Sequence, residues 1–126
     1  MINFANVPGA NPPVREAHAA TVGFLLADLT KQVDWYREHA TPEIAVRFVN
    51  AAGQVLNLLR KTPGLGRLRF VEWPELKGMH SFRLQRPFHR FLVFYRYDAT
   101  TLFAERLIHG GRDLPRRLRE SPFESE

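Results

Sequence analysis

The stretch from residue 91 to residue 113 constrains this chain most. It runs Phe91-Leu92-Val93-Phe94-Tyr95-Arg96-Tyr97, a polar bend at Asp98-Ala99-Thr100-Thr101, then Leu102-Phe103-Ala104-Glu105-Arg106-Leu107-Ile108-His109, and closes on Gly110-Gly111-Arg112-Asp113. Aromatic and branched side chains fit a pleated surface and the polar bend supplies turn chemistry, so the stretch predicts an antiparallel hairpin. Its first strand is apolar at nearly every position, which places it inside a sheet with both neighbours paired. The core is expected to centre on Val93 and Phe94. Any chemistry built here would sit past His109, where the sheet stops and two glycines let the backbone turn.

Upstream, the spacing predicts helices. Leu26, Leu29, Val33 and Tyr36 recur at three- and four-residue steps, giving a first helix over 27–39, with Thr21-Val22-Gly23-Phe24-Leu25 read as a short strand before it. Thr41-Pro42-Glu43 resets the chain: threonine caps, proline suits the first helical position and glutamate complements the helix dipole. A second helix therefore starts at Pro42 with the stripe Ile44, Ala45, Phe48, Ala52, Val55, Leu56 and Leu59, and stops at Thr62-Pro63-Gly64. The connection is so short that the two helices must double back on each other. Residues 1–19, with Pro8, Pro12 and Pro13, read as an extended lead-in to a single domain over 20–120, and 121–126 as a flexible tail.

Between these parts lie a loop rich in Gly and Arg over 64–69, a breaker at Trp73-Pro74, and an alternating stretch over 79–84. His80, Phe82 and Leu84 share one face of that stretch, Ser81 and Arg83 the other, and it is expected to pair with the strand over 91–97 across the bend Arg86-Pro87-Phe88-His89. Leu114 to Arg119 adds a short basic helix, with Asp113 as its N-cap. The fold class is α+β: an N-terminal antiparallel helix hairpin packed on one face of a small, mainly antiparallel sheet.

Composition removes several functions. A chain of 126 residues with 44% hydrophobic content is long enough to bury a core, and with no cysteine it has neither disulfides nor sulfur-bound zinc, as expected in a reducing cytoplasm. No apolar run approaches the roughly 20 residues of a membrane span, so no membrane partner is expected. The net charge is +5 and is uneven: residues 1–63 hold 6 Lys or Arg against 5 Asp or Glu, and residues 64–126 hold 12 against 8. The sheet half carries the excess, which suits either a polyanion or acidic partner or a plainly solvated surface.

The five histidines, at 18, 39, 80, 89 and 109, lack metal-ligand spacing, so no metal and no cofactor is expected. No serine sits in a strand-to-helix elbow and no glycine loop precedes a helix in phosphate-binding context. The enzymatic option that remains is metal-free RNA cleavage, which needs a base, a donor to the leaving oxygen and cations around phosphate. Arg83, Arg96, Arg106, Arg112, His80 and His109 are the right types, although alternate arginines on a sheet are also its ordinary solvated face.

In order along the chain, Ala27-Asp28-Leu29 with Val33 and Tyr36, Pro42 with Ala45 and Phe48, Leu59 leading to Pro63 and Gly66, Phe91 to Arg96, and Leu107-Ile108-His109-Gly110-Gly111-Arg112-Asp113-Leu114 resemble the RelE/ParE superfamily of bacterial toxins. The resemblance covers about residues 27–118 and is strongest to the ParE-like branch, often labelled plasmid stabilisation proteins. It implies the toxin of a type II toxin-antitoxin module, acting in the bacterial cytoplasm by binding DNA gyrase and silenced by a cognate antitoxin. Target contacts would then be Arg83, Arg96, His109, Arg112, Arg116, Arg117 and Arg119. Antitoxin contacts would come from Trp35, Tyr36, Phe88 and Phe103. Two alternatives stay open: a RelE-like ribosome-dependent mRNA endoribonuclease using Arg83, Arg96, His109 and Arg112, or an inactive relative that only binds its antitoxin. A homodimer and a heterotetramer with antitoxin are both compatible with the resemblance. The segment after His109 holds neither tyrosine nor histidine, which departs from the ribonuclease branch.

Overall fold

The structure, a computed structural model, describes the backbone of residues 15–111 and 113–122, with side chains from residue 23 onward. Helix α1 spans Arg15–His39 and α2 spans Pro42–Lys61. Four strands follow: β1 (Arg67–Leu68), β2 (His80–Arg83), β3 (Phe91–Tyr97) and β4 (Leu102–His109), with the short helix α3 (Leu114–Arg119) after them. The sheet is wholly antiparallel in the order β1-β2-β3-β4. No helix among the described residues is long and apolar enough to cross a membrane.

The helix hairpin forms as the sequence predicts. Thr41 is extended, and its hydroxyl accepts from the Ile44 amide at 3.1 Å while Pro42 opens the helix. Thr41→Ala is expected to cost about 1 kcal/mol, read as a lower urea midpoint at unchanged denaturant slope. The apolar stripe of α2 is buried along its length from Ala45 to Leu59. It packs on the sheet face formed by Phe91, Val93 and Tyr95 together with Leu102, Ala104 and Leu107.

Helix α1 departs from expectation at its start. The short strand read over 21–25 does not form, because those residues continue the helix. Leu25 explains why: one turn before Asp28 and Leu29, it lies fully in the core, so the apolar run is helical and faces inward. The described part of the expected lead-in, residues 15–19, is helical too, and residues 1–14 lie outside the described residues.

Two further expectations change. Arg67–Leu68 within the Gly- and Arg-rich loop pairs with β2, Arg67 opposite Ser81 and Leu68 opposite His80. At the other end, Pro122 of the expected tail is buried and its carbonyl accepts from Lys31 Nζ at 3.4 Å. Residues 123–126 lie outside the described residues.

The turn after α2 is fastened to the sheet by Tyr95. Its hydroxyl donates to the Pro63 carbonyl at 2.6 Å and accepts from the Gly66 amide at 2.8 Å. Burial pushes the Tyr95 phenol above its ordinary pKa, opposed by the Gly66 hydrogen bond and assisted by Tyr97. A Cβ at position 66 would run into the Tyr95 hydroxyl, so only glycine lets this turn close.

The other sheet face has its own core. Phe94, on the face opposite Val93, packs with Leu76, Met79, Ile108 and Leu114. Strand β3 is therefore buried on both faces, with Val93, Phe94 and Tyr95 fully inaccessible, as the apolar run from Phe91 to Tyr95 implies. Register is interrupted at Phe94 and Tyr95, where Glu105 bulges out of β4.

Candidate functional site

The outer edge of β4 is closed by α1 through one residue. Asp28 Oδ2 accepts from the Leu107 amide at 3.0 Å, and both carboxylate oxygens accept from Arg106, Nε at 2.7 Å and Nη2 at 3.0 Å. Arg106 Nη1 also donates to the Arg117 and Glu120 carbonyls at the end of α3. Arg106, one of the cations considered for RNA cleavage, is thus buried and structural.

On the sheet face away from the helix hairpin, the Phe94 core fills only part of the surface. Beside it opens a groove of about 660 Å³ lined by Arg67, Arg69, Ser81, Arg83, His89 and Arg90, with Leu92, Gly110 and Gly111 at its wall. Arg67, Ser81 and Arg83 reach it from alternate positions on paired strands. Arg69 follows by the same period, and its Nη1 donates to Ser81 Oγ at 3.0 Å. Burial, then repulsion from Arg67 and Arg83, lowers the pKa of the Arg69 guanidinium. His89 Nδ1 is shielded from solvent and has no hydrogen-bond partner among the described residues.

Local backbone sets this shape. Phe70 takes a left-handed φ of 56°, a strained choice for an aromatic residue that turns the chain out of β1 and lays its ring 4.9 Å from the Arg69 guanidinium. Gly110 donates its amide to the Arg90 carbonyl at 2.7 Å, and a Cβ there would press on that carbonyl and on Leu92 at 3.3 Å. The end of β4 and the bend before β3 can therefore lie backbone to backbone.

The residues expected at the target surface divide into groups. Arg83 lies exposed on the groove. Arg96 is engaged instead, with Nε 3.0 Å from Glu105 Oε2 and Nη2 donating to the Glu75 carbonyl at 2.9 Å. Burial pushes the Glu105 carboxyl upward in pKa, and Arg96 pulls it back. His109 is tied to α3, its carbonyl accepting from Arg117 Nη1 at 3.0 Å. Arg116 bonds Glu120 at 2.7 Å along the exposed side of α3, and Arg119 lies over the Trp73 ring at 4.7 Å and 3.5 Å from Glu75. Arg112 lies outside the described residues. Asp113 takes the N-cap position expected of it but in a left-handed conformation with no side-chain cap hydrogen bond; its carboxylate lies 3.9 Å from Arg116.

The aromatic set expected to meet the antitoxin is also split. Trp35 is 49% exposed and stacks on His39 at 4.6 Å. Tyr36 is half-buried against Phe48 and Phe88. Phe103 is half-buried on β4. Phe88 is buried among Tyr36 and Phe48, so it is a core residue with no surface to offer. His80 packs its ring at a tilt against Tyr95 and Tyr97, 5.6 and 5.1 Å between centres, near the turn that follows α2.

Sequence reasoning missed Arg67, Arg69, Arg90 and His89. A signal existed for two of them: Arg67 and Arg69 stand two apart, so reading 67–69 as extended puts both on the face that carries Arg83. Among the described residues, no cluster of three or more His, Asp or Glu side chains is placed to hold a metal ion.

A family model described as the ParE toxin of the type II toxin-antitoxin system parDE matches residues 25–114. Neither curated proteins nor solved structures give a match. The matched span runs from Leu25, where α1 enters the core, to Leu114 at the start of α3, and so takes in α1 from Leu25 onward, the whole of α2 and the whole sheet. With that span covering well over half of the sequence, the chain belongs to the ParE toxins of type II toxin-antitoxin modules.

Proposed function

We propose that this toxin acts by binding DNA gyrase, with no chemistry of its own, and that a cognate antitoxin silences it. The observation that carries the reading is the engagement of the sheet cations. Arg106 is committed to Asp28 and Arg96 to Glu105, so two of the arginines that RNA cleavage would draw on hold the fold instead. The target surface is then the side of the molecule bearing α3 and the groove, with Arg83, His109, Arg116, Arg117 and Arg119 as contacts; Arg112, outside the described residues, completes the set on sequence grounds, and Arg96 leaves it because Glu105 holds it. Arg116 leads this set, since 58% of its side chain is accessible and its ion pairs with Glu120 and Asp113 lie in solvent, where a target carboxylate can replace them at little cost. The antitoxin covers the flank bearing Trp35, Tyr36 and Phe103. It folds on contact, as disordered regulators do.

Production of the chain alone is expected to arrest growth with DNA breaks, and co-production with its antitoxin to relieve the arrest. In a purified reaction, gyrase and plasmid with the toxin should accumulate linear DNA. Arg116→Ala is expected to raise the toxin concentration needed by about ten-fold, the effect of one lost charged hydrogen bond of roughly 1.5 kcal/mol. Arrest with intact DNA and messages cut on the ribosome would replace this reading with the nuclease one. No arrest at all would leave an antitoxin-binding relative.

A further inference from the structure

We infer that the arginine-lined groove is a binding site for the phosphodiester backbone of duplex DNA. Arg67, Arg69, Arg83 and Arg90 converge on one cleft of about 660 Å³, and no carboxylate is among its lining residues. That concentration of like charge opposes itself: burial first, and then repulsion from Arg67 and Arg83, lowers the Arg69 pKa, and a bound polyanion relieves the repulsion. The wall formed by Gly110 and Gly111 carries no side chains, so a ligand backbone can come close to the protein backbone there. His89 adds a shielded Nδ1 with no partner among the described residues, a polar atom left without the hydrogen bond that burial ordinarily demands.

The charge density of the site selects among polyanions. Guanidinium groups pair with phosphate oxygens two at a time. Along the one strand that a cleft of this size can meet, duplex DNA carries a charge at every unit, one per about 3.4 Å of axis, whereas an extended peptide reaches a similar density only when each residue is acidic, and then turns alternate side chains away. Four guanidinium groups gathered in one cleft match the denser ligand. The choice of DNA over RNA rests on the gyrase reading, since DNA is what that enzyme holds when the toxin reaches it.

The full-length toxin, titrated with a fluorescent 20-base-pair duplex between 50 and 200 mM salt, tests the inference. Binding is expected with a log-log salt slope of about −3 to −4, at roughly 0.9 per phosphate contacted. Arg67→Gln and Arg90→Gln, both at exposed positions, should each weaken binding several-fold at 50 mM salt and make the slope shallower by about one. Arg60→Gln removes the same charge from the exposed side of α2 and should stay within two-fold of the parent. Absence of duplex binding at 50 mM salt, or equal losses in the Arg60 and groove variants, overturns the inference. So does polyglutamate competing as well as duplex at equal charge, or single-stranded RNA binding ten-fold more tightly. Loss of DNA binding with gyrase inhibition intact removes this inference alone. Groove-dependent duplex binding without gyrase inhibition supports it and removes the functional reading alone.

Discussion

Asp28→Ala is expected to destabilise the fold by about 3–5 kcal/mol, the usual cost of removing one partner from a buried ion pair. The Asp28–Arg106 pair is bidentate, and both side chains are nearly inaccessible at 6% and 7%. Asp28 also takes the Leu107 amide on the outer edge of β4, a donor that no further strand pairs. Its loss leaves a buried guanidinium and a buried amide short of an acceptor and loosens α1 from the sheet edge. Arg106 would keep its bonds to the end of α3, so the damage concentrates at the α1–β4 contact. Urea denaturation at neutral pH measures the loss, and a fall in melting temperature on the order of 10 °C or more should accompany it. Asp28→Leu combined with Arg106→Met is expected to recover a large part, because an apolar pair leaves no charge unsatisfied. A loss below about 1 kcal/mol for Asp28→Ala would mean that Arg106 reaches solvent and the pair does not hold α1 in place.

This pair marks the limit of what the sequence can disclose. Asp28 and Arg106 stand 78 residues apart, and nothing local distinguishes this aspartate from one on a solvated helix face. The strands were legible, because Phe91 to Tyr97 is apolar at every position but Arg96, and Val93 and Phe94 do lie at the centre, one on each face. The helix hairpin was legible for the same kind of reason: Thr41-Pro42 is a start signal and the α2 stripe has a clean period. The start of α1 was misread because Thr21, Val22 and Phe24 favour a strand locally, while burial of Leu25 decides for the helix. The groove was half legible. Arg83 follows from strand alternation, but Arg67 and Arg69 were hidden by an edge strand only two residues long, and His89 and Arg90 by a bend whose course depends on Gly110 far along the chain. Arg96 was expected at the surface for its place on β3, and the Glu105 bulge gives it a carboxylate instead.

Phe48→Ala should cost a similar amount, about 3–5 kcal/mol, for a different reason. Phe48 is fully inaccessible and its ring meets three others: Tyr36 of α1 at 5.4 Å, Phe88 of the bend at 5.2 Å and Phe91 of β3 at 5.0 Å. The last two contacts are edge-on, the favourable geometry for aromatic pairs. Truncation removes the surface that joins four elements, and the cavity cannot collapse without moving all of them. Phe48→Leu fills most of the space and should cost well under half as much. The functional consequence follows from Phe88, which anchors the bend that delivers His89 and Arg90 to the groove. Amide exchange in the Phe48→Ala protein should therefore quicken first over residues 85–91 and around Tyr36, with β4 the slower to respond. Uniform acceleration across the sheet would show that the aromatic cluster stabilises the fold globally without specifically steadying the groove wall.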